Sequence, residues 1–521
     1  MEALRVIVFD NSSSPSLFLR AKCLECIGTL VRNFEQDKFN EHEVFGLVES
    51  LVSIEGKLSD TDHLARYVIL KALDHFCKCQ RVNIDQLIDQ TMLMLLRYAQ
   101  LDLCLTTSMP MDLSLDDDDD DDDDDDEHLV EKVRVKASNI LLSCCAERSA
   151  EKFPPNVLTV TNFFLRCIGC SSFKTRKAGM LALPKLLPLI EEGIIPEKDK
   201  TDVTRRITVS LSEALGKETD NGLSKRMLRL LPKCIKTSGI FANVQLIRII
   251  VDGINQALKK IMENEIKREK EAGTSEEEGD FLPTQETIKD AGSLIETTTE
   301  KFQNRLSIYI DRLMNNVVLF LETNMPARVI VFAISIFNIL VPQFPEKLPP
   351  HHNKYIVAAC HALRNGIPHS QPHAIRAIGI CAEFGKDHFN PDLAKDSVSR
   401  LYDVVIKRSG DITGCDNNDM AVEALGKICE YHNGKIEGGS MVVRNWLNFL
   451  PLNLKHDIHA ARSAHELLSR LIRRSDADLF GTANVNLPKI ISVVREILSE
   501  PDLLRDQEAI DLMTEFINQH S

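Results

Sequence analysis

A helix-length pattern recurs along this chain: a polar or charged turn, a basic residue, a few small residues, then an apolar stripe. It reads SSPSLFLRAKCLECIGTLV at 13–31, KVRVKASNILLSCC at 132–145 and SSFKTRKAGMLALPKLLPLI at 171–190. It returns as SQPHAIRAIGICAEFG at 370–385 and NNDMAVEALGKICEYH at 417–432. Arg134 and Arg176 stand roughly 40 residues apart, and Arg20 and Arg376 lie off by near multiples of that length.

A period of about 40 to 47 residues with two helices per unit is that of HEAT and armadillo repeats. One such unit has more apolar face than it can bury alone, so neighbours must stack. The expected fold class is therefore all-α: a HEAT-repeat α-solenoid, an armadillo-like superhelix. Such a stack offers a long curved binding surface rather than a catalytic pocket.

Composition agrees. A 44% apolar chain with one Trp and six Tyr suits Leu/Ile/Val/Ala helix packing, and no alternating Val/Thr/Tyr runs bounded by Asn-Gly turns point to strands. A globular chain of 521 residues would normally split into several domains, a limit that a solenoid escapes because each repeat packs only on its neighbours. The net charge of −15 is concentrated: eleven aspartates at 116–126 and Glu127 carry twelve negative charges, which leaves about −3 for the rest. Nucleic acid is a poor partner for such a chain, because its affinity comes from cations that displace phosphate counterions. Basic proteins are a better one, since a dense acidic run steers their association.

Fourteen cysteines include the CxxC pairs Cys23/Cys26 and Cys167/Cys170. On a helix that spacing places both sulfurs on one face, and no second CxxC or HxxxH stands at zinc-finger distance. Small core hydrophobes with reduced thiols are the expectation, with no metal and no cofactor. The histidine pairs His351/His352, His369/His373 and His456/His459 match no metal or catalytic motif, and phosphate-loop and nucleophile-elbow patterns are missing. No enzyme activity is expected. The N-terminus lacks the progression of a secretory signal, and the longest apolar stretch, 327–341, is too short for a membrane span. It reads as a buried repeat helix, so no membrane insertion is expected.

Along the chain, HEAT repeats fill 1–105, beginning on an apolar stripe with no polar cap. An acidic loop of like charges, which repel and stay disordered, occupies 106–128. HEAT repeats resume over 129–262. A charged helix extension and loop follows at 263–283, where Glu/Lys pairs replace the apolar stripe. C-terminal HEAT repeats run from 284 to 521 and end on an amphipathic helix polar enough to cap the stack.

The last third is more specific. NNDMAVEALGKICEYH precedes a Trp-Leu-x-x-Leu-Pro-Leu element at Trp446, Leu447, Leu450, Pro451 and Leu452. A Gly-x-x-Asn-x-Asn-Leu-Pro-Lys-Ile element follows at Gly481, Asn484, Asn486, Leu487, Pro488, Lys489 and Ile490. With Asn417, Ala424, Gly426, Lys427 and Ile428 ahead of them, these residues resemble the C-terminal part of importin-β-type (karyopherin-β) nuclear transport receptors. The closest likeness is to the karyopherin-β-three, or Ran-binding-protein-five, branch. The helix and loop at 258–283 look like an insertion of those receptors, and the acidic run stands where relatives have a shorter, mixed acidic loop.

The resemblance covers only about the C-terminal half of such a receptor. It implies a nuclear transport receptor, or its cargo-binding portion, that shuttles between cytoplasm and nucleus. Protein cargo with basic import signals is the implied partner, with nucleoporins beside it. It does not carry over Ran GTPase coupling, because the N-terminal repeats that hold the main Ran site in the family have no counterpart here. Two other readings fit the same residues: a generic HEAT scaffold for a protein assembly, and an acidic chaperone of basic proteins such as histones.

The candidate site for a basic partner is the run Asp116, Asp117, Asp118, Asp119, Asp120, Asp121, Asp122, Asp123, Asp124, Asp125 and Asp126, which also reads as a solvated spacer. Candidate cargo-facing residues are Asn417, Asn418 and Glu423, at the start of a second-of-pair helix, the kind that lines the inner face of HEAT arches. For the two asparagines the helix-cap reading is the favoured one. Trp446, the chain's single Trp, is either an interface anchor or core packing.

Overall fold

The computed structural model describes residues 16–33, 41–77, 91–98, 126–146, 157–191, 196–237, 244–272, 283–365, 370–407, 415–453 and 457–520, apart from isolated positions within those runs, together with Leu4 and Val8. Among these residues there is no strand, and the helices form two compact units, Met1–Phe241 and Ala242–Ser521.

The first unit holds α1 (Leu17–Asn33), α2 (Glu41–Glu55), α3 (His63–Cys77), α4 (Asp126–Ala146), α5 (Val157–Ile168), α6 (Phe173–Glu191), α7 (Glu197–Lys217) and α8 (Asn221–Thr237). α1, α3, α4, α6 and α8 pack side by side as one layer, and α5 and α7 form part of the other. The apolar stripes face inward: Leu24 and Ile27 of α1, Ile140 and Leu141 of α4 and Leu183 and Leu186 of α6 are fully buried. Of the CxxC pairs only Cys23 and Cys167 are core residues; Cys26 is exposed and Cys170 half-buried, so the i+3 members fall outside the buried stripe expected for both.

Polar side chains tie each repeat to the next at nearly one period. Ser172 donates to Glu131, 41 residues away. Arg176 grips Glu218 with two bonds of 2.8 and 3.0 Å across 42 residues. Arg206 reaches Asn162 at 2.9 Å across 44.

The second unit holds α9 (Val244–Ala272), α10 (Pro283–Phe302), α11 (Ser307–Val317), α12 (Ala327–Gln343), α13 (His352–Arg364), α14 (Gln371–Phe384), α15 (Pro391–Lys407), α16 (Cys415–His432), α17 (Gly439–Asn448), α18 (Ile458–Arg473), the single turn α19 (Ala477–Phe480), α20 (Leu487–Ser499) and α21 (Gln507–His520). Here α10, α12, α14, α16, α18 and α21 make one continuous layer. α9, α11, α13, α15, α17 and α20 cover its other side. Each unit is thus a segment of HEAT-type α-solenoid.

The apolar stretch 327–341 is α12, buried along nearly its whole length, and no described helix is long and apolar enough to cross a membrane. Among the described side chains of α9 the last buried one is Met262, after which charge takes over with pairs such as Arg268–Glu265 at 3.0 Å. One boundary differs from the expectation: α4 begins at Asp126, so the last Asp of the run and Glu127 belong to its first turn rather than to the loop.

Candidate protein-binding face

The candidate face lies on the layer α14–α16–α18. In α16, Glu423, Lys427 and Glu430 follow at i, i+4 and i+7 and so share one side of the helix. Glu383 of α14 and Ser463 and Arg470 of α18 flank them, joined by inter-helix bonds, with Glu466 of α18 between the last two in sequence. Lys427 Nζ sits 3.0 Å from both Glu383 and Glu423. Burial alone would lower its ammonium, but the carboxylates of Glu423 and Glu383 outweigh burial and hold it above the ordinary lysine range. Ser463 Oγ donates to Glu423 at 2.8 Å. Arg470 makes a two-pronged contact with Glu430 at 2.8 and 3.1 Å, the geometry in which a guanidinium binds a carboxylate most firmly.

Glu466 stands apart from this ladder. Among the described residues its carboxylate takes no hydrogen bond or ion pair. Partial burial, then the nearby charge of Asp506, push its carboxyl above the usual carboxylate range; Glu423 adds to this, while Arg470 and Arg462 oppose it. One turn into α16, Asn418 presents a buried side-chain oxygen that also lacks a hydrogen-bond donor. Tyr431, on the same helix, keeps 42% of its surface exposed. The layer therefore offers one unpaired anionic acceptor, Glu466, and an aromatic ring, while the Asn418 oxygen is enclosed beneath them.

The residues singled out in the sequence distribute as follows. Glu423 is on the face but is committed to Lys427 and Ser463. Asn418 is half-buried beside it, with its side-chain oxygen enclosed and without a donor among the described residues. Asn417 is buried and donates to Gln371 of α14 at 3.4 Å. It neither faces outward nor sits at the cap position, because α16 already begins at Cys415. Trp446 is fully enclosed, and its indole N–H donates to the Val422 carbonyl at 2.9 Å. It is a core residue of the α16–α17 hairpin, and the cargo-facing alternative is corrected accordingly. Residues 116–125 lie outside the described residues. Glu466, the most open acceptor, was missed because an isolated Glu in EL on an amphipathic helix carries no motif. Only the three-dimensional approach of Asp506 and Glu423 distinguishes it.

The residues that carried the family resemblance fill structural roles. Gly426 lies under the Trp446 ring, and Lys427 ties α16 to α14. Gly481 takes a positive φ of 71° at the end of α19, a conformation L side chains rarely adopt. Asn486 closes that turn by donating its side chain to the Leu479 carbonyl at 2.9 Å.

No family model matches the chain. Solved structures of Kap121p superpose on its whole length at low sequence identity. Kap121p bound to Pho4p matches with a TM-score of 0.53 and 17% identity, covering 100% of this chain and 49% of that one. Kap121p bound to Nup53p gives 0.53 and 18%, with the same coverage. The karyopherin Kap121p bound to the SUMO protease Ulp1p gives 0.52 and 17%, again over 100% and 49%. The chain thus spans about half the length of the structures it matches, and the likeness is one of fold.

Proposed function

We propose that this chain is a nuclear transport receptor of the importin-β type, or the cargo-binding portion of one, in the branch that the C-terminal motifs resemble. It binds basic import signals of cargo proteins by contact alone, without a catalytic step, and shuttles between cytoplasm and nucleus. The observation that carries this reading is Glu466: a carboxylate on the second-helix layer, beside Asp506 and Glu423, that no cation among the described residues pairs directly. An incoming Lys or Arg relieves that crowding, and a hydrogen bond to a charged partner contributes about 1.5–3 kcal/mol. The fold shared with Kap121p, a karyopherin solved with Pho4p and with Nup53p, supports protein cargo and nucleoporins as the partner classes.

Fluorescence anisotropy of a Lys-rich import-signal peptide, near physiological salt, tests the reading. Intact protein binds at micromolar concentration or tighter, and still binds when residues 116–126 are removed. Glu466→Lys weakens binding at least tenfold. Binding lost with the acidic run alone, and indifferent to Glu466, points instead to an electrostatic chaperone. No binding by either form leaves a scaffold.

A further inference from the structure

The first unit carries a basic groove that the transport reading does not use. It runs between α5 and α7, the adjacent helices of successive repeats, encloses about 510 Å³, and is lined by Asn162, Leu165, Arg166, Arg205, Arg206, Val209 and Ser210. Leu165 and Val209 form its partly exposed apolar floor. Arg206 is fixed by Asn162 at 2.9 Å and by Asp202 at 3.0 Å, and Arg205 meets the same Asp202 at 2.5 Å. Arg166 is exposed, and its guanidinium contacts no carboxylate among the described residues. Three guanidinium groups against one aspartate leave the groove net positive, in a chain whose net charge is −15.

We infer that this groove is the docking site of the chain's own acidic run, residues 116–125, with Arg166, Arg205 and Arg206 as its anion-binding side chains. Charge complementarity is the first argument. The tether is the second. The run enters α4 at Asp126, and Glu131, five residues on, accepts a hydrogen bond from Ser172. Ser172 follows closely on Cys170, whose thiol bonds the Arg166 carbonyl at 3.4 Å. At 1.5 Å per helical residue, the end of the run thus lies on the order of 20 Å from the groove. Ten extended residues reach about 33 Å, so the aspartates span the distance without moving a helix. A short tether of this kind sets an effective concentration in the millimolar range, enough for several weak charge pairs to hold. The inference is independent of the transport reading. If both hold, the run is occupied within the chain and not free for basic cargo.

Arginine modification by phenylglyoxal, read residue by residue by mass spectrometry on the full chain, tests it. Arg166 and Arg205 react at least threefold more slowly in the intact chain than in a variant whose residues 116–125 are replaced by alternating Ser and Gly. Exposed Arg328 of the second unit is unchanged. In the intact chain alone, 1 M salt, which cuts the screening length to about 3 Å, removes the protection, so the inference is testable even if the variant folds poorly. A labelled ten-Asp peptide binds the neutralised variant at least fivefold more tightly than the intact chain, and Arg166→Ser with Arg205→Ser abolishes that gain. Equal arginine reactivity with and without the run, or with and without salt, overturns the inference. So does equal peptide binding by intact and neutralised chains, which assigns the groove to an acidic segment of another protein.

Discussion

Gly426 sits where α16 crosses the Trp446 indole, and its replacement by alanine is a sharp probe of the packing that holds the candidate face. A methyl group there would stand 2.9 and 3.0 Å from two indole carbons and 3.0 Å from a Leu467 methyl. The ring cannot swing aside easily, because its N–H is bonded to the Val422 carbonyl at 2.9 Å. Overpacking of a tight core costs about 1–3 kcal/mol, while Gly→Ala within a helix gains about 0.5–1 kcal/mol. The net expectation is a loss of about 1 kcal/mol in local stability of the α16–α17–α18 repeat.

Gly46 in α2 is the control: no atom lies within 4 Å of an added methyl there, so Gly46→Ala stabilises by about 0.5–1 kcal/mol. Amide hydrogen exchange followed by mass spectrometry reads both sites locally, which matters because repeat stacks need not unfold in one step. A second background completes the argument. With Trp446→Leu the space opens, and Gly426→Ala then becomes neutral or stabilising, a coupling of about 1–3 kcal/mol between the two positions. Greater protection of α16 in Gly426→Ala alone, or no coupling to Trp446, would mean that the indole does not set the packing limit at this position.

Three further outcomes follow from the same packing. His465 is fully buried and accepts from the Leu452 N–H at 3.1 Å. Burial pulls its imidazole from 6.5 down to about 4, against the backbone bond to Leu503. The neutral ring is the folded form, so local stability is complete above about pH 6.5 and falls by about 3 kcal/mol as pH drops toward 4. His465→Gln flattens that dependence in hydrogen exchange of the 450–452 and 503 segments. In the first unit, burial acts to raise the Glu218 carboxyl but is outweighed by the Arg176 bond and the N–H groups of Asp220 and Thr219, so it titrates below the ordinary carboxylate range. That contribution is present above about pH 4.5 and is lost as pH falls through the lowered value. Arg176→Met strands the carboxylate and costs about 3 kcal/mol at neutral pH, seen as lost protection in α6 and α8. Finally, Glu430→Gln frees Arg470 and loosens α16 against α18, at about 1 kcal/mol in the same assay, since Arg470 is half exposed.

The repeat period was legible because a HEAT stack writes its geometry into the chain. The Arg176–Glu218, Ser463–Glu423 and Arg470–Glu430 bonds all join residues 40 to 42 apart. Trp446 and Asn417 were ambiguous for a physical reason: one residue type serves a core and an interface, or a cap and a cross-helix bond, and local sequence does not say which neighbour arrives. The motifs at 424–428, 446–452 and 481–490 identified a fold because they are turn and packing residues, Gly426 and Gly481 above all. They say little about what the face binds. Glu466 was illegible, since what sets it apart is a pair of carboxylates from α16 and from the α21 start.

The central claim is that a basic segment docks on the α14–α16–α18 layer, and zero-length carbodiimide cross-linking addresses it most directly. A Lys-rich import-signal peptide is coupled to the intact chain near physiological salt, and the linked carboxylates are mapped by mass spectrometry. Amide links from peptide lysines to Glu466 and Asp506 are expected, lost in Glu466→Gln for the first and reduced by unlabelled peptide for both. Links confined to residues 116–127, with Glu466 and Asp506 untouched, would contradict it.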